Sequence, residues 1–143
     1  MTDVDSRIGT GSHFATGLRC VHCDAVAPLE DGIYLCPVCS GNLLVEYDLD
    51  AIRPAWGRTA LSGDDDRTIW RYAPLLPVTG RLEGPPVGWT PLVPAPALAR
   101  TLGIRELFFK DDGRNPSASF KDRASAIALQ RARETGHDLV TGA

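Results

Sequence analysis

Cys20-Val21-His22-Cys23 and Cys36-Pro37-Val38-Cys39 are two Cys-x2-Cys pairs with twelve residues between them, and no other feature restricts the fold as much. A spacing of two lets one tight turn aim both sulfurs at a common point, so two such turns can close a four-thiolate tetrahedral metal site. Cys20, Cys23, Cys36 and Cys39 are therefore the expected ligands of a zinc ion, and His22 is not needed. Four cysteine ligands leave no open position for water or substrate, which makes the expected metal structural. Leu18 and Tyr34-Leu35 are expected to lead into the turns as strands, with Leu43 to Tyr47 as the return strand, giving a small β zinc ribbon over residues 17–48. The alternative is a ribbon remnant whose thiols pair as disulfides or stay free. Against it, the start Met1-Thr2-Asp3-Val4-Asp5 is acidic where a secretion signal is basic and then apolar. The expected location is the cytoplasm, where thiols stay reduced.

Charge removes two classes of partner. With a net charge of -3 and a pI near 5.5, the chain has no electrostatic footprint for nucleic acid or anionic lipid. Many ribbons do bind nucleic acid, but residues 1–48 carry only Arg7 and Arg19 against seven acidic residues, which repel phosphates. No run approaches the roughly 20 apolar residues of a membrane span. A hydrophobic content of 43% in 143 residues supplies one modest core, or a small stapled module plus part of a larger domain.

Residues 1–16 are polar and small and read as a flexible tail. Residues 49–91 hold Trp56, Trp70 and Trp89 among many prolines and glycines and read as an irregular extension anchored by aromatics, with Asp64-Asp65-Asp66 as an exposed turn. After Thr90 helix and strand signals alternate, and residues 92–143 read as the start of an α/β domain. Pro96 can open a helix that Ala97 to Leu102 continue and Gly103 ends. Glu106 to Lys110 reads as a strand, and Asp111 to Ala118 as a loop. Ser119 can cap a helix whose third residue is Asp122, with Phe120, Ala124, Ile127 and Ala128 on one apolar face and Gly136 as its stop. Asp138 to Thr141 reads as another strand. Two strands do not complete an α/β sheet, so the expectation is an incomplete domain of a longer protein.

The run Asn115-Pro116-Ser117-Ala118-Ser119-Phe120-Lys121-Asp122-Arg123 puts a lysine in the first turn of a helix, behind a loop of small residues. That position lies at the positive end of the helix dipole, and an uncharged amine is what imine chemistry uses. On these grounds alone Lys-Asp-Arg also reads as a solvated, ion-paired helix start, and Phe120 as core.

This run, preceded by Trp89-Thr90-Pro91-Leu92 and Phe109-Lys110-Asp111-Asp112, resembles the fold-type II pyridoxal-phosphate enzymes, threonine synthases above all. The ribbon followed by Trp70-Arg71-Tyr72 and Leu75-Leu76-Pro77 extends the likeness over residues 18–143. The resemblance implies that Lys121 binds pyridoxal 5'-phosphate covalently and moves protons as general acid and base, and that Phe120 walls the cofactor ring. The implied reaction converts O-phosphohomoserine and water to threonine and phosphate. The resemblance leaves room for a homo-oligomer at full length, with a small amino-acid substrate and neither nucleic acid nor membrane as partner. Lys110 and Arg114 could meet a substrate phosphate by charge, a role that nothing separates from an ordinary surface one. Departures are Val87, where the family often has an acidic residue, and Ser117-Ala118, where it has Thr-Gly. The family's asparagine motif and glycine-rich phosphate cup would fall beyond Ala143, so the chain by itself is expected to be inactive. Sister enzymes such as cysteate synthase or an amino-acid dehydratase, and a non-catalytic interaction module, are the competing readings.

Overall fold

The computed structural model describes residues 14–141, so most of the expected tail lies outside the described residues. Strand β1, Ala15–Cys20, already includes Ala15 and Thr16. It is the centre of a three-stranded antiparallel sheet with β2, Val26–Ala27, on one side and β3, Leu43–Tyr47, on the other. Leu18 pairs with Ala27 and with Val45, and Leu18 and Ala27 are buried. Gly17 leaves little room for a side chain, since a Cβ there would stand 3.1 Å from the Ala27 carbonyl oxygen. Tyr34 and Leu35 are not strand but exposed loop, a correction to the expected pattern. The β1 edge is taken by Val26 and Ala27, which follow the first cysteine turn directly.

The stretch 49–91 is more regular than its prolines and glycines suggest. Helix α1, Leu49–Ala55, starts where the Asp48 side chain accepts the Ala51 N–H at 2.9 Å and ends after Pro54. That is the usual side-chain cap of a first turn. Helix α2, Arg58–Gly63, follows, and then a 3-10 segment, Ile69–Leu75. Asp64 and Asp66 act as local acceptors and not as a solvated turn: Asp66 N–H donates to Asp64, and the backbone and hydroxyl of Thr68 donate to Asp66. Aromatic anchoring is present, with Trp56 edge-on to Tyr72 at 6.1 Å.

In the second half β4, Leu92–Pro94, pairs antiparallel with β5, Phe108–Lys110, across α3, Pro96–Leu102. Pro96 opens α3, and Gly103 closes it in the left-handed conformation (φ 66°), as the sequence implies. The final helix α4 runs Lys121–Glu134. Asp138 to Thr141 forms no strand, because no neighbouring strand lies beside it among the described residues to take its backbone groups.

The face that α4 buries differs from the expected one. Ala126 and Gln130 are buried, whereas Phe120, Ala124 and Ala128 are exposed and Ile127 is half-buried. The adjacent stripe Arg123, Ala126, Gln130, Glu134 packs inward because its polar members bond the preceding extension. Glu134 Oε1 accepts the backbone N–H of Thr79 and Gly80 and the side chain of Gln130, each at 2.7 Å. A Cβ on Gly80 would lie 2.4 Å from Gln130 Nε2. The ribbon is tied to the same C-terminal end of the helix, where Arg131 donates to the Leu29 carbonyl at 3.0 Å and His137 meets Asp31 at 2.8 Å. Among the described residues no helix is long and apolar enough to cross a membrane.

Candidate functional site

The two cysteine turns are near copies. Cys20 N–H donates to Ala25 O (2.9 Å) and Asp24 N–H to Cys20 O (3.2 Å); Cys36 N–H donates to Gly41 O (2.9 Å) and Ser40 N–H to Cys36 O (2.8 Å). Asp24 (φ 57°) and Ser40 (φ 59°) hold the same left-handed conformation one residue after each second cysteine, where Asx and small polar residues are tolerated best. The backbone N–H of His22 points at Cys20 Sγ and that of Val38 at Cys36 Sγ, both at 3.4 Å.

These turns bring all four sulfurs within 4.8 Å of one another, with Cys20–Cys39 at 3.5 Å and Cys23–Cys36 at 3.6 Å. Tetrahedral thiolates at about 2.3 Å from a Zn²⁺ ion stand about 3.8 Å apart, so the donor set fits a metal ion of that size. Electrostatics agree. The His22 N–H first, among several bonds, lowers the Cys20 thiol to about 6. The Gly41 N–H favours the Cys39 thiolate, yet hydrogen bonds shared with Cys23 and Cys20 push Cys39 up to about 12. Four adjacent thiols do not all ionise unless a cation balances them.

Lys121 and Phe120 sit at the exposed start of α4. Phe120 is its N-cap and offers no side-chain bond, while Ser119 Oγ accepts the Lys121 N–H at 3.2 Å, one position earlier than a standard cap. Asp122 reaches backward, accepting the Ser117 N–H at 2.8 Å and the Ser117 hydroxyl; these two bonds, the hydroxyl first, hold its carboxyl below the usual range. Ala118 is left-handed (φ 59°), a conformation that only a residue without a Cβ takes free of strain.

A polar cluster that the sequence motifs contain, but do not announce as a contact, holds this loop. Arg123 grips Asp112 with two bonds, Nε at 3.2 Å and Nη2 at 2.9 Å, and also donates to Thr90 Oγ1 at 3.0 Å. The Thr90 hydroxyl donates to Asp112, and Lys110 Nζ donates to the Thr90 carbonyl. Arg123 first, then Thr90, draws the Asp112 carboxyl down to about 2. Buried Asn115 ties the loop to the extension, accepting the Gly88 N–H at 3.0 Å and donating to Asp112 O at 2.9 Å. Thr90, Lys110, Asp112 and Arg123, with Tyr72 and Trp89, line a cleft of about 680 Å³. Arg114 is instead exposed and paired with Asp111 at 3.4 Å. With Arg123 and Asp122 engaged, Lys121 is left with no ion pair or side-chain hydrogen bond among the described residues.

Residues 84–143 match the model of the pyridoxal-phosphate dependent enzyme family. The chain is 35% identical to the threonine synthase of Methanosarcina acetivorans over 123 residues, 86% of this chain and 30% of that protein. It is 35% identical to the threonine synthase of Methanocaldococcus jannaschii over 124 residues, 85% of this chain and 30% of that protein. A threonine synthase of Synechocystis sp. is 45% identical over 80 residues, 50% of this chain and 20% of that protein. The chain thus spans about 30% of the length of the first two relatives. No solved structure gives a significant match.

Proposed function

We propose, from the match of residues 84–143 to the pyridoxal-phosphate dependent enzyme family, that this chain serves a threonine synthase-like reaction, with Lys121 as the residue that holds the cofactor. The observation that carries the reading is the state of that side chain. Asp122 and Arg123, which follow the lysine in the first turn, are both committed to the preceding loop, and the Lys121 side chain is exposed with no ion pair or hydrogen bond among the described residues. An amine left in this way is open to an aldehyde.

The bound cofactor would supply an electron sink for carbanions at the substrate's carbon atoms. Lys121 would hold it and would move protons as general acid and base. Phe120, exposed beside it, would flank the ring. Arg123 and Asp112 would keep the first turn of α4 from swinging, which holds the lysine stem in one direction. The proposed overall change is O-phosphohomoserine and water to threonine and phosphate, a carbon–oxygen lyase reaction of a fold-type II enzyme. Cys20, Cys23, Cys36 and Cys39 would hold one structural Zn²⁺ that fixes the ribbon. A cytoplasmic setting, which keeps the thiols reduced, belongs to the same reading.

Borohydride reduction of the protein incubated with pyridoxal phosphate, followed by peptide mapping, should find the cofactor on Lys121 and lose it in Lys121→Ala. A label on another side chain would end the assignment. Metal analysis of the reduced protein should find about one zinc per chain, and none would remove the ribbon's metal.

A further inference from the structure

We propose that a cleft between α2, the 3-10 segment and Trp89 binds an oxyanion, specifically a phosphate group, through Arg58, Arg67 and Arg71. The cleft measures about 520 Å³, and these three arginines line it together with Trp89. The Trp89 indole carries two guanidiniums on its ring, Arg67 at 4.4 Å and Arg71 at 4.5 Å from the centroid. Arg71 is 9% exposed, spends one N–H group on the Leu61 carbonyl at 2.6 Å, and leaves Nε and Nη1 buried with no acceptor.

A guanidinium buried to this extent ordinarily has a carboxylate beside it, because removing a charge from water is costly without a counter-charge. Aromatic faces attract a cation but do not neutralise it. Arg58 and Arg67 make no ion pair among the described residues either. The single carboxylate lining the cleft is Asp64, which already accepts the Asp66 N–H at 2.8 Å. Three guanidiniums against one carboxylate leave two positive charges unbalanced. A tetrahedral dianion matches that excess, and guanidiniums are its preferred donors. Trp89 is itself held at φ 48°, a conformation that costs energy for a bulky residue and is kept where surroundings enforce it. The same residue's indole is the one that both guanidiniums approach.

None of these residues lies in the loop that carries Lys121, so the inference does not depend on the cofactor assignment. The test is thermal unfolding of the whole chain with sodium phosphate, and separately with O-phosphoserine, each against sodium chloride of equal ionic strength. A saturable rise in Tm with phosphate is expected in the parent. It should weaken by about tenfold or more in apparent affinity in Arg58→Gln/Arg67→Gln, which removes two charge-assisted donors. Both side chains are exposed, and an unchanged far-ultraviolet spectrum together with the single variant Arg58→Gln controls for misfolding. A stronger response to O-phosphoserine would identify a phosphate ester as the ligand, and an equal or stronger one to inorganic phosphate the free ion. No rise beyond the chloride control, or an equal rise in parent and double variant, would overturn the site.

Discussion

Substituting Gly41 by alanine separates the metal geometry from ordinary folding. A Cβ at this position would stand 2.7 Å from His22 Cδ2, 3.0 Å from Cys20 Sγ and 3.2 Å from Cys39 Sγ. The His22 ring is exposed and can swing aside at little cost. The two sulfurs cannot: Cys20 Sγ is held by the His22 N–H, and both lie in the four-sulfur cluster. Relief must come from moving a sulfur by a few tenths of an ångström, an overpacking cost of about 1–3 kcal/mol. Gly41 does not use the left-handed backbone, so alanine recovers about 0.4–1 kcal/mol from the unfolded chain. The net penalty of about 1–2 kcal/mol falls on the state in which four sulfurs surround one ion. At about 1.4 kcal/mol per decade, metal affinity should fall roughly 5- to 30-fold. Competition against a chromophoric chelator under reducing conditions measures this. Gly57→Ala is the control, since nothing lies within 4 Å of its added Cβ. Equal affinities for parent and Gly41→Ala would refute the reasoning, as would an equal loss in Gly57→Ala.

Gly88→Ala should lower stability by roughly 3 kcal/mol, since it combines φ 100° with a Cβ 2.9 Å from the Ile69 backbone nitrogen, adding backbone strain to overpacking. An unchanged urea midpoint would contradict that packing. Ala118→Gly should raise stability by about 0.5–1 kcal/mol, the relief of a left-handed alanine less the entropy of glycine; a lower midpoint would contradict the φ of 59°. Asp112 has a folded pKa of about 2 against an ordinary 3.8, set first by Arg123 and then by Thr90. A depressed carboxyl stabilises above its unfolded pKa and ceases to as pH falls through the folded one. Urea unfolding should therefore show stability falling between about pH 4 and pH 2, and Asp112→Asn should flatten that limb. An identical acid limb in the variant would remove the Arg123–Asp112 pair as its cause.

Features governed by a few neighbouring residues were legible in the chain. Two Cys-x2-Cys turns converge because each closes through bonds within six residues. Helix α3 lies between Pro96 and Gly103 because both residues act through their own backbone torsions. Spacing also marked α4, but misjudged its inward face. The apolar stripe at Phe120, Ala124 and Ala128 is exposed, since which stripe is buried depends on what the neighbouring segment offers. The extension offers backbone donors at Thr79 and Gly80, and the loop after β5 offers a carboxylate at Asp112; these select Glu134 and Arg123.

Local composition could thus determine the cysteine constellation, the caps and the placing of Lys121 at a helix start. Tertiary structure alone decided that Arg123 meets Thr90 from 33 residues away and Glu134 meets Thr79 from 55. It also decided that Arg71 is buried against Trp89 with no carboxylate paired to it among the described residues. Spacing conveys what torsions and short loops enforce; a contact between distant polar groups forms only where packing has already brought both out of water and left each needing a partner.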